Sequence, residues 1–158
     1  MLDLLETRGI HRGVLRRRIL PRLELIPPGE DSRSRWREIY PDFAGRESLP
    51  KTLECTWLVA TPRRAYGGMI LSPVSQGWLL HTMRVPRPWR GLGVASLLLR
   101  KVIEAKGPTC GTIWLQVRPE NTPAVRLYER AGFQQVEPSR APGDDMCREE
   151  HVLMRLEP

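Results

Sequence analysis

Apolar positions along this chain first recur about every second residue and later at helical spacing, and the change of period divides it. "RLELI" (22–26) alternates in strand fashion and stops at the turn signal "PPG". "EDSRSRWREIY" (30–40) predicts a short helix before Pro41, and residues 41–52, with two prolines and a glycine, predict a loop or broken helix. "CTWLVAT" (55–61) and "YGGMILS" (66–72) predict neighbouring strands joined by a turn at Pro62-Arg63-Arg64. "GWLLHTMRV" (77–85) predicts a third, stopped by "PRP". From Gly93 to Lys106 the apolar set is Ala95, Leu98, Leu99, Val102 and Ile103, which is helical spacing, and Gly107-Pro108 ends it.

"TIWLQV" (112–117) is apolar almost throughout, as a central parallel strand would be. "NTPAVRLYERAGF" (121–133) predicts a helix capped by Asn121 or Thr122, with Pro123 in its first turn and Gly132 at the C′ position. "QQVE" (134–137) and "HVLMRLE" (151–157) predict two closing strands around a polar loop, 138–150. A meander followed by strand–helix–strand–helix–strand gives an α/β (α+β) fold with a mixed sheet flanked by helices. One domain over 1–158 is expected, with its core at about 20–158; residues 1–19, including Arg12 and Arg16 to Arg18, form an N-terminal extension without a readable pattern.

Composition narrows the class rather than the chemistry. Of 158 residues, 41% are apolar and 27% charged, as in ordinary soluble domains. No stretch approaches the roughly 20 apolar residues of a membrane span. The start, "MLDLLETRGIHRG", lacks the apolar run of a secretory signal, so a cytoplasmic protein is expected. Cys55, Cys110 and Cys147 are odd in number and widely spaced, which predicts reduced thiols and no metal site. Lys and Arg total 25 against 18 acids, a net charge of +7, so the surface attracts polyanions, nucleic acid or a phosphorylated cofactor.

"WRGLGVASLLL" (89–99) asks which phosphate a glycine loop opening a helix would hold. A Walker loop needs GxxxxGK[ST], and its lysine and spacing are absent. A dinucleotide fingerprint needs a third glycine where Ser96 stands. A plain turn leading into a helix is the bland alternative. Arg90-x-x-Gly93-x-Ala95 after a strand resembles the R/Q-x-x-G-x-G/A signature of the GNAT superfamily of acyl-CoA-dependent N-acyltransferases. A second motif strengthens the resemblance: Asn121, Ala124, Leu127, Tyr128, Gly132 and Phe133 reproduce N-x-x-A-x-x-L-Y-x-x-x-G-F about thirty residues later. "RLELIPPGED" also resembles the family's first strand and turn.

The resemblance implies a centrally splayed sheet and acetyl-CoA as co-substrate, with no metal. Backbone N–H groups of Gly91, Leu92, Gly93, Val94, Ala95 and Ser96 would face the pyrophosphate at the positive end of a helix, beside Arg90. Met83, Arg84 and Val85 would pair with the pantetheine arm as if with a further strand. Asn121 would contact the cofactor at the mouth of the splay. Tyr128 would protonate the departing thiolate.

For the base, related enzymes carry glutamate in a "WLEVR"-like segment where this chain has Gln116 in "WLQVR". His81 is the expected substitute, since two residues before Met83 it should share a strand face with Met83 and Val85. "LLHTMRV" also resembles arylalkylamine acetyltransferases, which place a histidine there. Glu54 is a weaker candidate. Arg33, Arg35 and Arg37 line either an anionic substrate path or a solvated helix face, and "GDDMCREE" (143–150) either attracts a cationic amine or is a solvated loop.

The expected function is therefore transfer of acetyl from acetyl-CoA to a primary amine of a small molecule, peptide or protein by direct attack. Two alternatives stand beside it: a non-catalytic acyl-CoA-binding regulatory domain, and acetylation of an RNA-linked amine such as aminoacyl-tRNA. Nucleic acid is a partner that the charge allows but no aromatic-interleaved motif favours. A homodimer stays open, and no membrane partner is expected.

Overall fold

The apolar runs over 55–85 form three antiparallel strands, whose successive side chains point to opposite faces of the sheet. The computed structural model describes residues 12–41, 55–143 and 150–157. Strands β1 (Glu24–Ile26), β2 (Thr56–Thr61), β3 (Arg64–Val74) and β4 (Gly77–Arg84) pair antiparallel in sequence order. The turn between β2 and β3 is Pro62-Arg63 alone, for Arg64 already pairs with Thr61. β5 (Thr112–Val117) then lies parallel to β4, and β7 (Val152–Leu156) separates it from β6 (Gln134–Val136). The sheet order is β1-β2-β3-β4-β5-β7-β6.

The helices are α1 (Arg12–Ile19), α2 (Glu30–Arg35), α3 (Val94–Lys106) and α4 (Thr122–Arg130). The main core joins Leu98, Leu99 and Val102 of α3 to Val59, Met69, Leu71, Leu80 and Leu115 of the sheet. Trp36, Ile39 and Tyr40, just after α2, form a second cluster with Leu58, Ala60 and Ala65. Neighbouring residues in β2 and β3 divide between these clusters, as period-two alternation requires.

Two expectations change. Asn121 is the N-cap residue of α4, but no side-chain capping bond forms; its carbonyl accepts the Ala124 and Val125 N–H groups. The N-terminal extension includes an ordered helix, α1, whose Leu15 and Ile19 pack with Leu20 against the main core. Its four-residue spacing of apolar groups is buried under a run of arginines, which hides it from a hydropathy reading. Among the described residues, no helix is long and apolar enough to cross a membrane.

Candidate active site

The site begins where two parallel strands stop pairing. β4 and β5 are in register from Gly77↔Thr112 to Leu80↔Leu115. Beyond that point β4 bulges. Gly68 pairs with Arg84 and Ile70 with His81, so Met69 alone opposes both Thr82 and Met83. The extra residue sharpens the bend of the strand. Thr82 carries the distortion at φ 56°, a left-handed conformation unusual for a β-branched residue. Tyr40, buried at 2% exposure, donates its hydroxyl hydrogen to the Thr82 carbonyl at 2.6 Å and so pins the bulge. Gly68 makes room for it, since a Cβ there would lie 3.1 Å from the Tyr40 ring.

The splay opens into a cavity of about 970 Å³. Thr82, Met83, Arg84 and Val85 line it on one side, with Gln116 and Val117 from β5 and Arg118 just after it. The glycine loop closes one end. Gly91 and Gly93 adopt φ +74° and +89°, where a side chain would strain the backbone. Gly93 caps α3, and the first turn of that helix presents N–H groups that helix geometry leaves without intrahelical partners. Arg90 directs its Nε to the Val85 carbonyl at 2.8 Å, tying the loop to the end of the strand.

α4 brings the motif tyrosine into the same cavity. Gly132 reverses the chain at φ +95°, and the Phe133 N–H bonds back to the Tyr128 carbonyl at 3.0 Å. The two rings then meet edge to face, 5.7 Å apart. Burial pushes the Tyr128 hydroxyl up to about 12, so it stays protonated at neutral pH. Asn121 lines the cavity nearby.

The cavity's electrostatics are one-sided. Arg16, Arg84, Arg90, Arg118 and Arg130 line it, and no carboxylate does among the described residues. A wall of that composition favours a polyanion.

Of the expected site residues, Met83, Arg84, Val85, Arg90, Gly91, Gly93, Val94, Ala95, Ser96, Asn121 and Tyr128 come together around this cavity. The Leu92 side chain is buried in the main core, while the expectation for Leu92 concerns its backbone N–H alone. His81 is elsewhere. Met83 and Val85 pack toward the main core, whereas His81 Nε2 sits 2.9 Å from Ser72 Oγ. The inserted residue breaks the alternation, so the shared face expected for His81 and Met83 is not formed. Burial lowers the His81 pKa below the ordinary histidine value. Glu54 and the acidic positions 144–149 lie outside the described residues. Arg35 donates to the Thr61 carbonyl at 2.8 Å, and none of Arg33, Arg35 and Arg37 lines the cavity.

Three lining residues carry no signature in the sequence. Arg16 and Arg118 read as surface charge. His151 reads as the first polar residue of a strand. It nevertheless lines the cavity with Gln116 and Tyr128, and its Nδ1 is buried without a hydrogen-bond partner among the described residues.

Similarity to known proteins bears on the same elements. Over 82 residues the chain is 35% identical to a [ribosomal protein bS18]-alanine N-acetyltransferase of Haemophilus ducreyi, covering 49% of this chain and 55% of the relative. Over 58 residues it is 38% identical to the N-alpha-acetyltransferase RimI of Mycobacterium tuberculosis, covering 36% of this chain and 35% of the relative. The chain thus spans only about a third to a half of the lengths of these two curated relatives. The fold resembles Arabidopsis thaliana NAA60 in complex with acetyl-CoA, with TM-score 0.62 and 18% identity over 86% of this chain and 99% of that one. The model of the acetyltransferase (GNAT) family matches residues 24–133, from β1 through the glycine loop to the end of the α4 motif. The chain belongs to the GNAT acetyltransferase family.

Proposed function

We propose that this protein transfers an acetyl group from acetyl-CoA to a primary amine, and that the amine is the α-amino group of a protein or peptide N-terminus. The observation that carries the reading is one cavity in which the glycine loop, the unpaired end of β4 and Tyr128 converge, with arginines and no carboxylate on its described walls. Acetyl-CoA fits these residues: a left-handed glycine loop at a helix N-terminus suits its pyrophosphate, and the strand end suits its pantetheine arm. The N-terminal acceptor is favoured by relatives named for that activity.

Bound acetyl-CoA supplies an activated thioester carbonyl. The chain's own part is to hold it, receive one proton and give another. The amine nitrogen bonds to the acetyl carbon, and Tyr128, kept neutral by burial, would give its hydroxyl proton to the sulfur as the carbon–sulfur bond breaks. Backbone N–H groups freed by the splay stabilise the developing oxyanion. The amine proton passes to His151, directly or through water. His151 lies in the cavity with its Nδ1 unpartnered among the described residues, whereas His81 Nε2 pairs with Ser72 Oγ.

The test measures thiol release from acetyl-CoA with free amino acids, peptides bearing free N-termini and aminoacyl-tRNA. Peptides are expected to turn over fastest. Absence of acetyl-CoA binding by calorimetry would overturn the whole reading, and preference for aminoacyl-tRNA would overturn the choice of acceptor. For the base, single-turnover rates of His151→Ala and His81→Ala are compared. His151→Ala should slow the chemical step far more than His81→Ala, and an unchanged rate would exclude His151.

A further inference from the structure

The first helix of the described chain lies before the segment that the family model covers, yet it touches the glycine loop. α1 spans Arg12–Ile19, and the family match begins at residue 24. Leu15 and Ile19, four residues apart, dock this helix on the main core with Leu20. Arg12 and Arg16 share the same four-residue spacing, so both point from one side of the helix. Arg12 Nη2 donates to the Arg90 carbonyl at 2.9 Å. A Cβ placed on Gly91 would lie 3.8 Å from Arg12 Nη2, and one on Gly93 would lie 3.7 Å from Arg16 Nε. Two guanidinium groups therefore stand beside the two left-handed glycines.

Their roles differ. Arg12 already has a partner in the loop, and it fixes the helix there. Arg16 lines the cavity with Gly93 and Ser96, and it has no hydrogen-bond or ion-pair partner among the described residues. A guanidinium at the edge of a helix N-terminus adds a charge-assisted donor to the N–H groups of that turn. Arg17, the next residue, is exposed and does not line the cavity.

We propose that α1 is a second wall of the phosphate site, in which Arg16 binds a phosphate group of the cofactor and Arg12 positions the helix on the loop. The inference rests on the acetyl-CoA reading above, and it assigns a binding role to a segment that the family match leaves out. The phosphate is either in the diphosphate or on the ribose 3′ position, since both carry the oxyanions that a guanidinium recognises.

Calorimetry with the full chain separates these possibilities. Arg16→Ala should weaken coenzyme A binding by about ten- to a hundredfold, the range of one charged hydrogen-bond partner. Arg17→Ala removes the same net charge and should leave the affinity within about twofold, as expected for a charge outside the site. With 3′-dephospho-coenzyme A, a persisting Arg16→Ala loss assigns the diphosphate, and its disappearance assigns the 3′-phosphate. KM for S-acetylpantetheine, which lacks all these phosphates, should not change. The proposal falls if Arg16→Ala binds coenzyme A as the wild type does, or if Arg17→Ala weakens binding equally. Wild-type protein that binds no coenzyme A would instead overturn the functional reading itself. Thermal melting of each variant identifies any loss that comes from unfolding.

Discussion

From Gly77 to Leu80, β4 is paired on both sides, with β3 and β5, whereas from His81 to Arg84 it is paired only with β3. The first half is sheet interior: Leu80 is 3% exposed and belongs to the main core. The second half carries a bulge, a left-handed threonine and the cavity wall. One segment is thus sheet interior first and cavity wall second. Backbone groups that a partner strand satisfies cannot meet a ligand, and those that lose the strand can.

The largest expected effect lies opposite the open half. Tyr128→Phe keeps the ring against Phe133 and deletes only the hydroxyl proposed as proton donor. Turnover should fall by about 10²–10⁴-fold, typical of a general acid, while acetyl-CoA affinity barely changes. Single-turnover kinetics would show it, and wild-type rates with chemistry limiting would make Tyr128 structural. Next comes the closed half. Leu80→Ala should cost about 2–5 kcal/mol of unfolding free energy in a denaturant titration, as buried leucines do. Met83→Ala, at the partly exposed cavity wall, should cost clearly less. Equal costs would erase the distinction between the halves.

Tyr40→Phe tests the pin between them. Losing the 2.6 Å bond to the Thr82 carbonyl should cost about 1–3 kcal/mol, the penalty of an unsatisfied buried acceptor. It should also raise KM for acetyl-CoA as the bulge loosens. Unchanged stability and KM would mean that the bulge holds without its phenol.

The smallest effect concerns His81. Burial depresses its pKa in the folded protein, so as pH falls through the ordinary histidine range the unfolded chain takes up a proton first. Its contribution is neutral above that range and destabilising below it. Between pH 7 and pH 5, His81→Gln should therefore lose less Tm than wild type. Equal losses would show that His81 does not titrate differently on folding.

Much of the site was legible because its chemistry is local. Left-handed glycines at 91 and 93, the helix after them, and the Gly132 turn that sets Phe133 on Tyr128 follow from neighbours along the chain. The strand face of His81 was misread for the opposite reason. Alternation counts residues, and it cannot register one that is inserted without a partner. That insertion is pinned by Tyr40, 42 residues earlier in the chain.

From β1 onward the sequence by itself determined the elements, their order, the two motifs and hence the family, since periodicity and turn chemistry act within a few residues. Tertiary structure alone decided that Arg16, Arg118 and His151 face the cavity. Arg16 reaches the glycine loop because α1 docks on the core, and the two are joined where Arg12 spans 78 positions to the Arg90 carbonyl. His151 reaches the cavity because β7 inserts beside β5, placing Val152 opposite Val117. Those placements depend on how distant segments pack and pair, and no local pattern encodes them.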